Sequence, residues 1–214
     1  MKTTVKCRRW SRLVAMVLTA MLAAAAVLAP EVLAGRDDWQ QPERVMADMN
    51  LRPGWTVADV GCGRGYFTFR MASAVGEKGK VLAVDISQNA LRRVQRRAER
   101  DEVKNVKTIR SQPADAQLPA RSSDAALLCL VLHHADEGAR QDLMNSIAKG
   151  LTPGGFLFVM DFRKVKNPPV HSYEELVSRE TVVRLAERAG LELDAEYFYL
   201  GRQYFLRFRK PAEK

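Results

Sequence analysis

The chain is predicted to fold as an α/β domain. Its core is a Rossmann-like open sheet, mostly parallel with an antiparallel C-terminal strand, and helices cover both faces as a three-layer sandwich. Three observations predict this. Short apolar runs alternate with stretches of helical spacing along most of the sequence. One run, 125–132, is apolar throughout, as a strand buried on both faces must be. Glycines at 76, 150 and 190 follow helical stretches and stop them.

The elements follow in order. Val45, Met46 and Met49 recur at helical spacing within 35–50, and Pro42 suits a first helical turn. Arg52-Pro53-Gly54 is a turn. Residues 56–60 read as a short buried strand, and 66–75 as a helix with Phe67, Met71, Ala74 and Val75 inward. Residues 81–84 form a second strand ending at Asp85. Ser87 caps the next helix, whose inward face is Leu91, Val94 and Ala98. Residues 106–110 are a third strand and 125–132 a fourth. A helix over 136–149 carries Leu143 and Ile147 inward, and Pro153-Gly154-Gly155 turns into a fifth strand at 156–160. Residues 178–189 are a last helix, and 195–200 with 203–209 form a hairpin joined at Gly201-Arg202.

Composition narrows the class. The chain has 214 residues, 47% hydrophobic and 28% charged, which excludes intrinsic disorder and a coiled-coil rod. Three cysteines exclude a disulfide-stapled scaffold. The formal net charge is +9. Five cations against Glu31 give residues 1–34 a net +4, which leaves +5 for the remainder. Nearly half the excess therefore belongs to a leader, and no nucleic-acid partner is expected.

That leader has a basic start and an uncharged run from Leu13 to Ala29, then Val32-Leu33-Ala34 before Gly35. The pattern describes a secretory signal peptide over 1–34. The run is also near the lower limit for a spanning helix, so an uncleaved membrane anchor is the competing reading. Either way the basic flank stays inside and residues 35–214 are directed outward, exported to the periplasm or anchored at the inner membrane. Membrane association is expected through this segment alone.

In such sheets ligands sit beyond the carboxyl ends of the strands. There the first strand delivers Asp59-Val60-Gly61-Cys62-Gly63-Arg64-Gly65. Glycines let the chain turn sharply and bring backbone close to a ligand. The second strand delivers Asp85, a carboxylate able to accept both hydroxyl protons of a ribose. Loop and carboxylate together imply a nucleoside-bearing cofactor. A nicotinamide or flavin dinucleotide wants G-x-G-x-x-G, whereas here the third glycine position holds Tyr66. Asp59 would repel a pyrophosphate but suits a cationic sulfonium or ammonium. S-adenosyl-L-methionine carries both cations and a ribose.

With these residues, and with Pro153-Gly154-Gly155, the chain resembles the class I S-adenosylmethionine-dependent methyltransferases. It is most similar to the small methyltransferase-11 branch, related to quinone-biosynthesis C-methyltransferases. The likeness runs from about Trp39 to Arg209. It implies that Asp59, Gly61, Cys62, Gly63 and Gly65 hold the methionine part, Asp85 the ribose, and Ile86 the adenine face. It implies an acidic residue facing the adenine amine in the loop 113–119. Asp115 is the candidate, one residue after the usual position at Ala114. Leu130, Val131 and His133 match the end of the fourth strand, which borders cofactor and substrate. The implied reaction is methyl transfer to a small-molecule or lipid-like acceptor.

His133 and His134 are candidate general bases, with packing at a strand end as the competing reading. Methyl transfer from a sulfonium is already activated, so orientation alone supplies much of the rate. No cysteine–histidine cluster completes a metal site. Cys62 and Cys129 read as separate thiols. Asp161 ends the fifth strand on the ligand side, as a substrate contact or a loop cap. The arginines at 92, 93, 96, 97 and 100 read as a solvated helix face, with anionic lipid as the alternative. Two other functions compete: an exported, non-catalytic nucleoside-binding module, and a NAD-dependent oxidoreductase, which Tyr66 and Asp59 disfavour.

Overall fold

A computed structural model describes residues 35–165 and 172–212. The leader 1–34, and with it the signal-peptide or anchor reading, lies outside the described residues. The chain divides into two compact units, one ending at Gln41 and one beginning at Pro42. In the first, α1 spans Arg36–Gln40 and carries Trp39. Gln41, at φ 45°, ends it in the left-handed region. The segment 35–50 thus holds two helices, and Pro42 stands at the first turn of the second, as its sequence position suggests. Among the described residues no helix is long and apolar enough to cross a membrane.

The second unit begins with α2 (Pro42–Met49), β1 (Thr56–Val60), α3 (Thr68–Val75) and β2 (Lys80–Asp85). It continues through α4 (Gln88–Arg100), β3 (Val106–Arg110), β4 (Ser123–Cys129) and a 3-10 turn, Leu132–His134. Next come α5 (Glu137–Gly150), β5 (Leu151–Phe162), α6 (Arg179–Arg188), β6 (Glu192–Tyr197) and β7 (Gln203–Arg209). The seven strands form one sheet in the order β3-β2-β1-β4-β5-β7-β6. All pairs are parallel until β7, which runs antiparallel to both β5 and β6. The expected architecture, with its single reversed strand, is the observed one.

Alternation along the strands builds a core on each face. Ala58, Val60, Leu82 and Val84 point to one face, against Leu143 and Ile147 of α5 and Val182 of α6. Val57 and Val81 point to the other, against Val45 of α2 and Met71 and Val75 of α3. On α4, Leu91 and Val94 pack on Ala83. Asn105 closes α3, its amide donating to the carbonyls of Ala72 at 2.8 Å and Gly76 at 2.9 Å.

Three boundaries differ from the sequence expectation, each for a local reason. β4 ends at Cys129 rather than 132, because Leu130 takes φ 58° and turns the chain. A left-handed leucine costs roughly 1–2 kcal/mol. Pro153-Gly154-Gly155 lies inside β5 rather than before it. The β4 partner steps from Ser123↔Leu151 to Ala125↔Phe156, so β5 bulges there. The Gly154 N–H donates to the Lys210 carbonyl at 2.9 Å, and Gly155 lacks room for a Cβ beside the Asp124 carbonyl. β6 begins at Glu192, three residues before the expected start, since its polar side chains suit an edge strand half in solvent.

Candidate functional site

Asp85 organises the carboxyl edge of the sheet. One of its oxygens, Oδ2, accepts the Gly63 N–H at 2.8 Å, and Oδ1 accepts the Ser87 N–H at 2.8 Å. The carboxylate so ties the glycine loop to the cap of α4. Each oxygen keeps a lone pair for a ligand hydroxyl. The loop is further held by the Val84 carbonyl, which accepts from the N–H groups of Gly61 at 2.8 Å and Cys62 at 2.9 Å.

Glycine is required at 61 by contact and at 63 by conformation. At Gly61, φ is 74° and a Cβ would stand 2.2 Å from Val131 Cγ2. The ends of β1 and β4 are therefore in direct contact. At Gly63, φ is 54° and the space beside the α-carbon is open. Gly65, by contrast, faces the ring of Phe69 behind the loop.

A cleft of about 560 Å³ opens over this loop, a volume suited to a nucleoside ligand. Val60, Gly61 and Gly63 form its base. Asp85, Ile86 and Ser87 line one flank, and Ser111, Gln112 and Pro113 extend that flank beyond β3. Leu130, Val131 and His134 line the other, with Leu143 of α5 behind them. Ile86 is 57% exposed, an apolar side chain offered at the rim. A larger groove of about 910 Å³ lies at the amino ends of β2 and β3. It has no glycine loop tied to a strand-end carboxylate, and ligands of such sheets bind at the opposite edge.

Of the site residues singled out in the sequence, Gly61, Gly63, Asp85, Ile86, Leu130, Val131 and His134 line the cleft. Asp59 does not. It is buried on the α3 side of the sheet, where its carboxylate accepts the Thr68 hydroxyl at 2.6 Å. Asp115 also stands outside: its carboxylate accepts from the Gln117 backbone at 2.8 Å and side chain at 2.6 Å. The loop closes on itself through paired backbone bonds between Gln112 and Asp115, which turns that carboxylate away. Ser111 and Gln112 occupy the flank instead. They follow β3 as Asp85 ends β2, and the strand-end rule alone would have found them.

His133 is buried and lies behind the cleft wall, whereas His134 is exposed within it. Their rings are 4.0 Å apart. Behind them is Asp161 of β5, 1% exposed, whose Oδ1 is 2.6 Å from His133 Nδ1. From α5, the Arg140 guanidinium donates to the carbonyls of Leu132 at 3.1 Å and Ala135 at 3.0 Å. The 3-10 turn is therefore gripped from both sides.

Cys62 and Cys129 are buried, and neither is in a disulfide. Burial pushes the Cys62 thiol far above its usual range, and the charges of Asp59 and Asp85 push it further. The thiolate is the nucleophile. Cys62 is accordingly expected to react with iodoacetamide at pH 8.5 at least about tenfold more slowly in the folded chain than in urea, by peptide mass spectrometry.

An adenosyl ligand fits these residues: open backbone at Gly63, spare lone pairs on Asp85, and the apolar Ile86 and Leu130. Comparison with known proteins agrees. A 2-phytyl-1,4-naphtoquinone methyltransferase from Nostoc sp. is 27% identical over 172 residues, covering 77% of this chain and 73% of the relative. A ubiquinone/menaquinone biosynthesis C-methyltransferase UbiE from Shewanella baltica is 30% identical over 152 residues, covering 70% of this chain and 59% of the relative. Among solved structures, a SAM-dependent methyltransferase from Aquifex aeolicus superposes with a TM-score of 0.74 at 23% identity, over 84% of this chain and 96% of that one. The [4+2]-cyclase SpnF shares the fold at a TM-score of 0.69 and 19% identity, covering 84% and 85%. In fold, cleft and relatives the chain is similar to the class I S-adenosylmethionine-dependent methyltransferases of the methyltransferase-11-like type. Residues 57–155, from β1 into the bulge of β5, match the family described as a methyltransferase domain.

Proposed function

We propose that the domain is an active methyltransferase whose acceptor is a small or lipid-like molecule bearing a reduced quinone ring. The observation that carries this is the cleft's division of labour. Carboxylate and open backbone converge at Asp85 and Gly63, while Leu130, Val131, Ala135 and Leu143 offer apolar surface opposite. S-adenosyl-L-methionine, when bound, supplies a methyl group on a sulfonium that needs no further activation. The chain's work is orientation. Asp85 accepts the ribose hydroxyls, Gly61 and Gly63 bring backbone to the ligand, and Ile86 covers the base. Asp59, Cys62 and Gly65 act from behind by holding the loop's shape. Transfer to a ring carbon adds a methyl and releases a proton, and His134 is the imidazole placed to accept it.

The two relatives, both quinone methyltransferases, supply the acceptor class. Because a cyclase shares the fold, turnover rather than architecture decides the chemistry. The test incubates the full-length chain with methyl-labelled cofactor and chemically reduced 2-phytyl-1,4-naphthoquinone. Label is expected in the extracted quinone, with S-adenosylhomocysteine formed in equal amount. Cofactor binding without transfer to this acceptor or to cell lipid extracts would leave the non-catalytic binding module. We infer in addition that residues 1–34 direct the domain outward or hold it at the inner membrane, although the cofactor is made in the cytoplasm. Fractionation with N-terminal sequencing separates the two: a start at Gly35 in the soluble periplasmic fraction means export, and an intact start in the membrane means anchoring.

A further inference from the structure

The buried Asp161–His133 pair is given no role in the function proposed above. Two ionisable side chains, 1% and 5% exposed, are costly to bury unless each is hydrogen-bonded. Here three contacts from this corner of the fold hold the carboxylate. Its Oδ1 is 2.6 Å from His133 Nδ1 and accepts the Phe162 N–H at 2.8 Å, while Oδ2 accepts the His133 N–H at 3.3 Å. A carboxylate oxygen accepts, so Nδ1 carries the ring proton and the tautomer of His133 is set. Ring and backbone of one residue are held by one carboxylate, which leaves the imidazole no freedom to rotate. The His134 ring is 4.0 Å from that fixed ring, tilted by 47°, and lines the cleft. Phe162 closes the other side of His133, at 5.5 Å.

We propose that Asp161 is a positioning residue: by locking His133 it fixes the direction in which His134 faces the cleft. The inference rests on the reading that methyl transfer occurs in that cleft. Asp161 is not among the residues lining it and is expected to leave cofactor affinity alone.

The test uses the full-length chain carrying Asp161→Asn, with His133→Gln as the second variant should the first not fold. The chain has three histidines, so single substitutions assign each imidazole by NMR. Asp161→Asn is expected to weaken the hydrogen bond at His133 Nδ1, speeding exchange of its ring proton, and to move the ring resonances of His134. With reduced 2-phytyl-1,4-naphthoquinone, kcat is expected to fall roughly 10- to 100-fold, the loss typical of a slightly misplaced group. The acceptor KM and the S-adenosylhomocysteine Kd are expected to stay within about twofold. A merely structural role would move Kd, KM and kcat together, and that result overturns the proposal. So do His134 resonances unchanged in a folded variant. If the wild-type chain methylates nothing, the proposed function fails, and the His134 resonances still decide the positioning role.

Discussion

Asp85→Ala is expected to raise the Kd for S-adenosylhomocysteine roughly 10- to 150-fold, measured by isothermal titration calorimetry on the full-length chain. The estimate follows from hydrogen bonds to a charged group, worth about 1.5–3 kcal/mol. Two losses act together. The ribose hydroxyls lose their acceptor, and the N–H groups of Gly63 and Ser87 lose the carboxylate that sets the loop against α4. Asp85→Asn separates them. An amide oxygen still accepts from Gly63 but cannot serve both sides, so its loss should be the smaller one. Unchanged affinity in Asp85→Ala would remove the carboxylate from the cofactor site.

Gly61→Ala is the second large effect, and it is read in stability. The residue is held at φ 74°, and its new methyl would stand 2.2 Å from Val131 Cγ2. Left-handed backbone costs a side chain roughly 1–2 kcal/mol. Overpacking adds about 1–3 kcal/mol, because a β-branched valine is stiff. A total of about 2–5 kcal/mol lowers Tm by about 4–20 °C in a domain of this size. Gly63→Ala supplies the contrast, with a positive φ but open space beside it. It should cost little more than the backbone term, while its methyl enters the cleft and weakens the ligand. Thermal melts with and without S-adenosylhomocysteine distinguish the two. Equal Tm shifts would show that contact with Val131 is relieved at no cost.

Much of this was legible in the sequence, for reasons that are physical. The 125–132 run reads as a buried strand and is one as far as Cys129, and Asp85 at the end of its own strand could only face the carboxyl edge. Asp161 was visible there too, though its partner was not, since nothing local says that β5 and the turn after β4 meet. Cα spacing in the sequence likewise hid the fate of Asp115. Its carboxylate is diverted by Gln117 two residues on, a competition that only the closed loop reveals. The left-handed Leu130 left no signal, because leucine is not a residue that marks turns. Asp59 was placed on the correct strand, and the alternation that put Val60 against α5 put Asp59 on the opposite face, beside Thr68.

The two outermost strands carry a consequence for the protein at high concentration. Lys107 and Arg110 on β3, and Glu192 and Asp194 on β6, all stand in solvent. A neighbouring molecule seeking to extend either border would have to strip water from these charges while gaining only main-chain bonds. The desolvation of these charges therefore disfavours an eighth strand at either border.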